Sequence, residues 1–206
     1  MIKDFGKSSY SRAILVIDMT FEGLHGFKSD HERDEMCCKL NGFIQNSGIP
    51  PIYCNTIWSS LGEPSRSYID MIAAWGNGMK LRMEVAKKLQ SAFKYDICGG
   101  IIIPTDLDGF LKQNGIQELF VVGVDAPLCA LDTAIDGVER GYKVNFVTDL
   151  CWTCESVLTS SRNLEINEVL AKKHGFTLVK STDFYSSTNP ELAISALPQP
   201  LSLHKK

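Results

Sequence analysis

The sequence predicts a three-layer α/β/α sandwich with a mostly parallel central sheet. Three observations predict it. Short apolar, β-branched runs recur along the chain, amphipathic stretches of helical period fall between them, and the links joining the two are short. Continuous apolar runs suit strands buried on both faces, and strand alternating with helix brings each strand back parallel by a right-handed crossover. At 206 residues and 44% hydrophobic content the chain is long enough for one well-buried core. Residues 1–206 are therefore read as a single domain. Its last stretch, 186–206, loses the pattern and carries three prolines, as a surface or interface tail would.

The elements follow in order. AILVI, Ala13 to Ile17, is the first strand and Asp18 closes it. Met36, Leu40, Phe43 and Ile44 form one helical stripe after Ser29-Asp30, and Gly48 is placed to end that helix. Pro51 to Trp58 is the second strand. Thr105 followed by Asp108 resembles a capping box, with Leu107, Phe110 and Leu111 at helical spacing and Gly115 closing the element. Leu119 to Val124 is a buried strand. Pro127 suits a first helical position, Leu131, Ala134, Ile135 and Val138 make a face, and Gly141 ends it. Tyr142 to Val147 is a strand; Leu158, Ile166, Val169 and Leu170 give a helix up to Gly175; Thr177 to Val179 is the last strand.

Charge excludes some functions. A net charge of -3, from 21 basic and 24 acidic residues dispersed along the chain, leaves no footprint for nucleic acid or an anionic membrane. A small-molecule or protein partner is expected. The start, MIKDFGKSSYS, has no apolar core, and the longest apolar runs, AILVI and LFVVGV, are too short to cross a bilayer. Seven cysteines scattered through strand and helix patterns read as reduced thiols of a cytoplasmic compartment. Gly99-Gly100 and the lone Gly123 form no phosphate-binding fingerprint.

The chemistry concentrates at ELFVVGVDAPLCALDTAIDG, where a buried strand breaks at Asp125-Ala126-Pro127 and Cys129 falls on the first turn of the next helix. Ligands of open α/β sheets gather beyond the carboxyl ends of the strands, where loops lead into helix starts. A thiol there lies near unpaired N–H groups and the positive end of the helix dipole, which favour the thiolate. The same N–H groups can hold an oxyanion. The structural alternative is that Cys129 is a small buried hydrophobe and Asp18 a cap or loop hydrogen-bonder. A catalytic reading needs a base and a cation beside the sulfur.

The chain resembles the isochorismatase-like cysteine hydrolases, which include nicotinamidases, N-carbamoylsarcosine amidohydrolases and ureido-compound hydrolases. Four pieces carry the resemblance in order: ILVIDM with Asp18, a lysine ahead of Ser91-Ala92-Phe93, TDLDGFL from Thr105, and GV followed by Cys129 with Thr133-Ala134 and GYKVNFVTD downstream. The resemblance implies an isochorismatase-like, Rossmann-like fold and an Asp-Lys-Cys triad of Asp18, Lys87 and Cys129. Lys88 and Lys94 are the other candidates for the lysine. It implies a cis bond at Val124-Asp125, backbone donors for the substrate oxygen, and a pocket walled by Val124, Asp125, Ala126, Ser91 and Phe93. It also settles a conflict: Leu81, Val85 and Leu89 alone read as an amphipathic helix with solvated lysines, whereas the family places a strand there, and the strand is preferred. KYDICGGIIIP is an insertion relative to compact members. Asp125-Ala126-Pro127 departs from the small residue, Thr and Asp usual ahead of the cysteine, and its negative charge bears on the substrate.

The resemblance thus implies a cofactor-independent, metal-free hydrolase of a small amide, carbamoyl or ureido compound, cytoplasmic and homo-oligomeric. Where nicotinamidases of the family carry an Asp and two His, this chain has NTIWSSLGEPSRS. The alternatives are a family member that has lost turnover and serves as a binding or scaffolding protein, and a thiol oxidoreductase using CWTC, Cys151 to Cys154, read as a loop at the pocket rim. One such pair lacks the partners of a zinc site, since Cys37-Cys38 lie in a helix pattern and His25, His31, His174 and His204 show no ligand spacing. Trp58, Tyr68, Trp75 and Trp152 are either pocket lining or core and interface.

Overall fold

A computed structural model describes residues 11–19, 24, 29–56, 81–85, 91–97, 101–104, 107–153 and 166–188. Six parallel strands form its main sheet in the order β3-β2-β1-β6-β7-β8: β1 (Arg12–Ile17), β2 (Pro51–Thr56), β3 (Leu81–Val85), β6 (Glu118–Val124), β7 (Lys143–Trp152) and β8 (Thr177–Val179). A separate antiparallel pair, β4 (Lys94–Ile97) with β5 (Ile101–Pro104), is built from the insertion. The helices are α1 (Asp30–Ser47), α2 (Leu107–Gln113), α3 (Leu131–Glu139), α4 (Glu168–His174) and α5 (Ser181–Thr188).

Side-chain alternation along β1 divides the core. Ala13, Leu15 and Ile17 join Phe110 and Leu111 of α2, Leu131 and Ala134 of α3 and Ala171 of α4; Ile14 and Val16 join Met36, Leu40 and Phe43 of α1, with Phe184 of α5 packed against them. The chain is thus a three-layer sandwich. Ser29 caps α1 by accepting from the Glu32 N–H, and Gly48 ends it in the left-handed region, as the sequence signals predict. On the α5 side, Phe184 meets Phe43 and Phe120 edge-on at 5.7 and 4.6 Å between centroids.

Residues Leu81–Val85 form the strand preferred over an amphipathic helix, because β2 offers a parallel edge that outweighs the helical spacing. Other sequence readings are corrected. The seventh strand runs ten residues, to Trp152, beyond the Val147 expected. Its register shifts between Val121 and Gly123 of β6, so Phe146 pairs with Val121 but Cys151 with Gly123. The polar Thr148-Asp149 in that bulge interrupts the apolar run, which is why the run ends early by eye. Asp149 instead takes the Ser181 N–H and hydroxyl at 2.8 and 2.6 Å, tying the start of α5 to the bulge. In α4, Val169 is 77% exposed and does not share the packed face expected of it. Residues 186–188 complete α5 instead of opening a tail, while Leu158, Thr105 and residues 189–206 lie outside the described residues.

The strand order reverses between β1 and β6. From β1 the chain steps outward to β2 and β3, and from β6 to β7 and β8, which makes the carboxyl ends of β1 and β6 a topological switch point. There the two strands come unusually close. A Cβ built on Gly123 would stand 2.2 Å from the Ile17 carbonyl oxygen and 2.8 Å from its nitrogen, and Gly123 has φ +114. Gly48, at φ +64, has nothing within 4 Å of the same construction. Gly123→Ala is expected to cost at least about 3 kcal/mol of unfolding free energy and Gly48→Ala only about 1. Urea denaturation midpoints of the two variants check the contrast.

Candidate active site

Asp18 follows β1 with φ +48, a left-handed conformation that Asp tolerates better than most residues. Its N–H donates to the Cys54 carbonyl at 2.9 Å, and the residue is 5% exposed. An acidic residue so buried at the switch point is placed where a ligand-facing group belongs. On the neighbouring strand the Val124-Asp125 bond is cis, as the resemblance implies. A π-helical turn, Ala126–Ala130, then carries Cys129 directly into α3. The Asp125 carbonyl accepts from the N–H groups of Leu128 and Ala130 at 3.0 and 3.2 Å, so Leu128 is already engaged within the turn. Cys129 is 6% exposed and belongs to the apolar cluster that includes Ile17, Ala92, Phe93 and Ala126.

Ser91-Ala92-Phe93 reaches the same place from the middle of the chain. The Thr133 hydroxyl, fully buried on α3, accepts from the Ala92 N–H at 3.0 Å and donates to the Cys129 carbonyl at 2.7 Å. Ser91, 1% exposed, takes the Phe93 N–H on its own hydroxyl at 3.1 Å. The Phe93 ring stacks on Tyr142 at 6.0 Å and lies under the Arg140 guanidinium at 4.9 Å. Tyr142 in turn donates to the Asp108 carboxylate at 2.8 Å, which also receives Lys112 at 2.8 Å. Burial first, then the Asp108 carboxylate, push the Tyr142 phenol far above its ordinary range, so it remains a donor at any working pH.

The structure therefore gathers Ser91, Ala92, Phe93, Cys129 and Thr133 by direct bonds or shared packing, with Asp18, Val124, Asp125 and Ala126 on the adjoining strand ends. Lys87 and Lys88 lie outside the described residues. Of Lys94 the backbone alone is described, as the first residue of β4. Two residues lacked a role in the sequence reading. Gly123 was legible as a glycine near the end of a strand, the usual mark of close backbone approach. Thr133 was legible only as part of a motif, because its partner is 41 residues away.

The first half of CWTC is not a rim loop. Cys151 and Trp152 are the last two residues of β7, and the Cys151 thiol sits 3.4 Å from the Val121 carbonyl. Cys154, Trp58, Tyr68 and Trp75 lie outside the described residues, and Trp152 packs against the α1-side core.

The family model for the isochorismatase domain matches residues 12–171. The chain belongs to the isochorismatase family. It is 43% identical over 47 residues to the nicotinamidase of Escherichia coli (strain K12), a match covering 23% of this chain and 22% of that one. The matched stretches span less than half the length of the curated relatives. Among solved structures, N-carbamoylsarcosine amidase from Thermoplasma acidophilum shares the fold at TM-score 0.56 and 23% identity, covering 84% of this chain and 97% of its own. An octameric hydrolase of unknown specificity from Escherichia coli does so at TM-score 0.62 and 14% identity, covering 90% and 84%. No helix among the described residues is long and apolar enough to cross a membrane.

The isochorismatase-family chain keeps its thiols in distinct settings. Burial, with help from Asp34 and Cys38, pushes Cys37 up to about 11; burial also pushes Cys151 well above the ordinary thiol range, against the pull of the Gly123 backbone and with some help from Asp149. Both should be neutral and unreactive at pH 7.5. Brief treatment of the native protein with iodoacetamide, read by peptide mass spectrometry, is expected to leave Cys37 and Cys151 unmodified while the exposed Cys38 is labelled.

Proposed function

We propose that the chain is a single-domain, cofactor-independent hydrolase of a small amide, carbamoyl or ureido compound, with Cys129 as nucleophile, Asp18 as proton acceptor and Lys87 as the stabilising cation. The observation that carries this reading is the arrival of Asp18 and the Cys129 turn on adjacent strand ends, with Ser91–Phe93 linked to that turn through the Thr133 hydroxyl. The names of relatives support it: a nicotinamidase and an N-carbamoylsarcosine amidase both cleave carbon–nitrogen bonds. The octameric neighbour supports a homo-oligomer. The absence of a crossing helix among the described residues accords with the cytoplasmic setting read from the thiols.

The steps follow from the groups. Asp18 takes the thiol proton of Cys129, and the thiolate attacks the carbonyl carbon of the substrate. The resulting oxyanion rests on N–H groups of the Asp125 to Cys129 turn other than that of Leu128. Collapse breaks the carbon–nitrogen bond, and the leaving amine takes the proton from Asp18. Water then attacks the thioester, giving its proton to Asp18; the second collapse frees the acid product and restores the thiol. The lysine ammonium offsets the negative charge that the Asp18 and Cys129 pair carries throughout. Val124, Asp125, Ala126, Ser91 and Phe93 form the walls. The Asp125 carboxylate at the turn favours substrates that present a hydrogen-bond donor or a positive charge over anionic ones.

A panel of primary amides, carbamoyl amines and ureido acids tests the reading. At least one substrate should turn over, and Cys129→Ala or Asp18→Asn should lower kcat by about a thousandfold or more while the protein remains folded. Lys87→Met should match that loss, with Lys88→Met and Lys94→Met near wild type. A mass label from an amide or aldehyde trap on Cys151 or Cys154 but never on Cys129 would remove the proposal.

A further inference from the structure

The Thr133 side chain uses its donor and its acceptor between two different parts of the candidate site. It is 0% exposed, gives its proton to the Cys129 carbonyl at 2.7 Å and receives the Ala92 N–H at 3.0 Å. A helical Thr that bonds the carbonyl four residues back tilts that carbonyl and bends the helix. Here that carbonyl belongs to the residue proposed as nucleophile. The same Ser91–Phe93 segment is held from its other side by the Arg140 guanidinium, 4.9 Å over the Phe93 ring, and by the stacked Tyr142. Arg140 is itself fixed by its bond to the Asp136 carbonyl at 3.1 Å.

We propose that Thr133 and Arg140 are positioning residues of the hydrolase: between them they fix the distance and angle between the Cys129 turn and the Ser91–Phe93 wall. The inference rests on the function proposed above. Neither residue touches a reacting atom. Their effect runs through geometry, and displacements of about 1 Å at a reacting group cost up to about a hundredfold in rate. A hydroxyl that only stabilised the fold would change melting and leave the sulfur chemistry alone.

The test compares Thr133→Val, Thr133→Ser and Arg140→Gln with wild type in three measurements: kcat and KM on the best panel substrate, the pH midpoint of Cys129 alkylation by iodoacetamide, and Tm. For Thr133→Val, kcat should fall about 10- to 100-fold with KM held within about threefold, and the alkylation midpoint should move to higher pH. Thr133→Ser keeps the hydroxyl and should restore both to within about threefold. Arg140→Gln, at a partly exposed site, should lower kcat about three- to tenfold. Wild-type kcat and midpoint in Thr133→Val, with only Tm reduced, overturn the inference. If Thr133→Val does not fold, wild-type kcat and midpoint in Arg140→Gln overturn it instead. A wild-type Cys129 that alkylates like a free thiol, with no panel substrate consumed, fails the function proposed above and takes this inference with it; that outcome is visible before any variant is made.

Discussion

The architecture depends on the contact between β1 and β6, where the Ile17 backbone lies against Gly123 with no room for a side chain. These strands are the centre of the sheet and the point where its winding reverses, so their carboxyl ends open into a crevice that no crossover covers. Asp18 leaves one strand and the Cys129 turn leaves the other. Because Arg12 to Ile17 pair in unbroken register with Glu118 to Gly123, the separation of the two groups is set by the sheet and not by a loop.

The third segment arrives differently. Ser91–Phe93 is not in the six-stranded sheet, and the contacts that hold it include the shared Thr133 hydroxyl, the stacked Tyr142 ring and the Arg140 guanidinium, beside its packing in the apolar core. Such contacts are worth about 1 kcal/mol each and act only at short range. They tie the segment to α3 and to the Tyr142 end of β7, the same elements that follow the Cys129 turn. Downstream of it the insertion pairs with itself, β4 with β5, and can vary in length without altering the register of the main sheet.

Much of this was legible in the sequence because it is local. Helix α1 announces itself through Ser29 and Gly48, β6 through its unbroken apolar run, and the turn after it through Pro127 followed by Cys129. What was not legible is non-local. Leu81–Val85 has a helical apolar spacing and becomes a strand because of the edge beside it. Likewise, Cys151 reads as half of a loop dithiol and lies in a strand because β7 resumes pairing after a bulge that only β6 reveals. Thr133 shows nothing of its role until residue 92 is brought back to it. Short-range rules describe an element; its partners decide which face and which end matter.

The distribution of thiols adds a physical argument for a cation at the site. Cys37, 8% exposed, is pushed from 9.0 to about 11, chiefly by burial. Depth of that order therefore works against a thiolate in this protein, by about 1.4 kcal/mol for each pH unit. A helix start returns at most about 2 kcal/mol to a nearby anion, which falls short of the roughly 2.8 kcal/mol that two pH units cost the Cys37 thiolate. A buried cysteine at a helix mouth, helped by the dipole alone, would then behave as an ordinary thiol. Bringing it into the neutral range takes a second positive charge within a few ångströms, and a carboxylate such as Asp18 beside it deepens the need, since two anions in one crevice repel. In the triad proposed above, the lysine is thus the member that burial makes indispensable: without an ammonium facing the crevice, the same fold would hold an inert sulfur and serve for binding only.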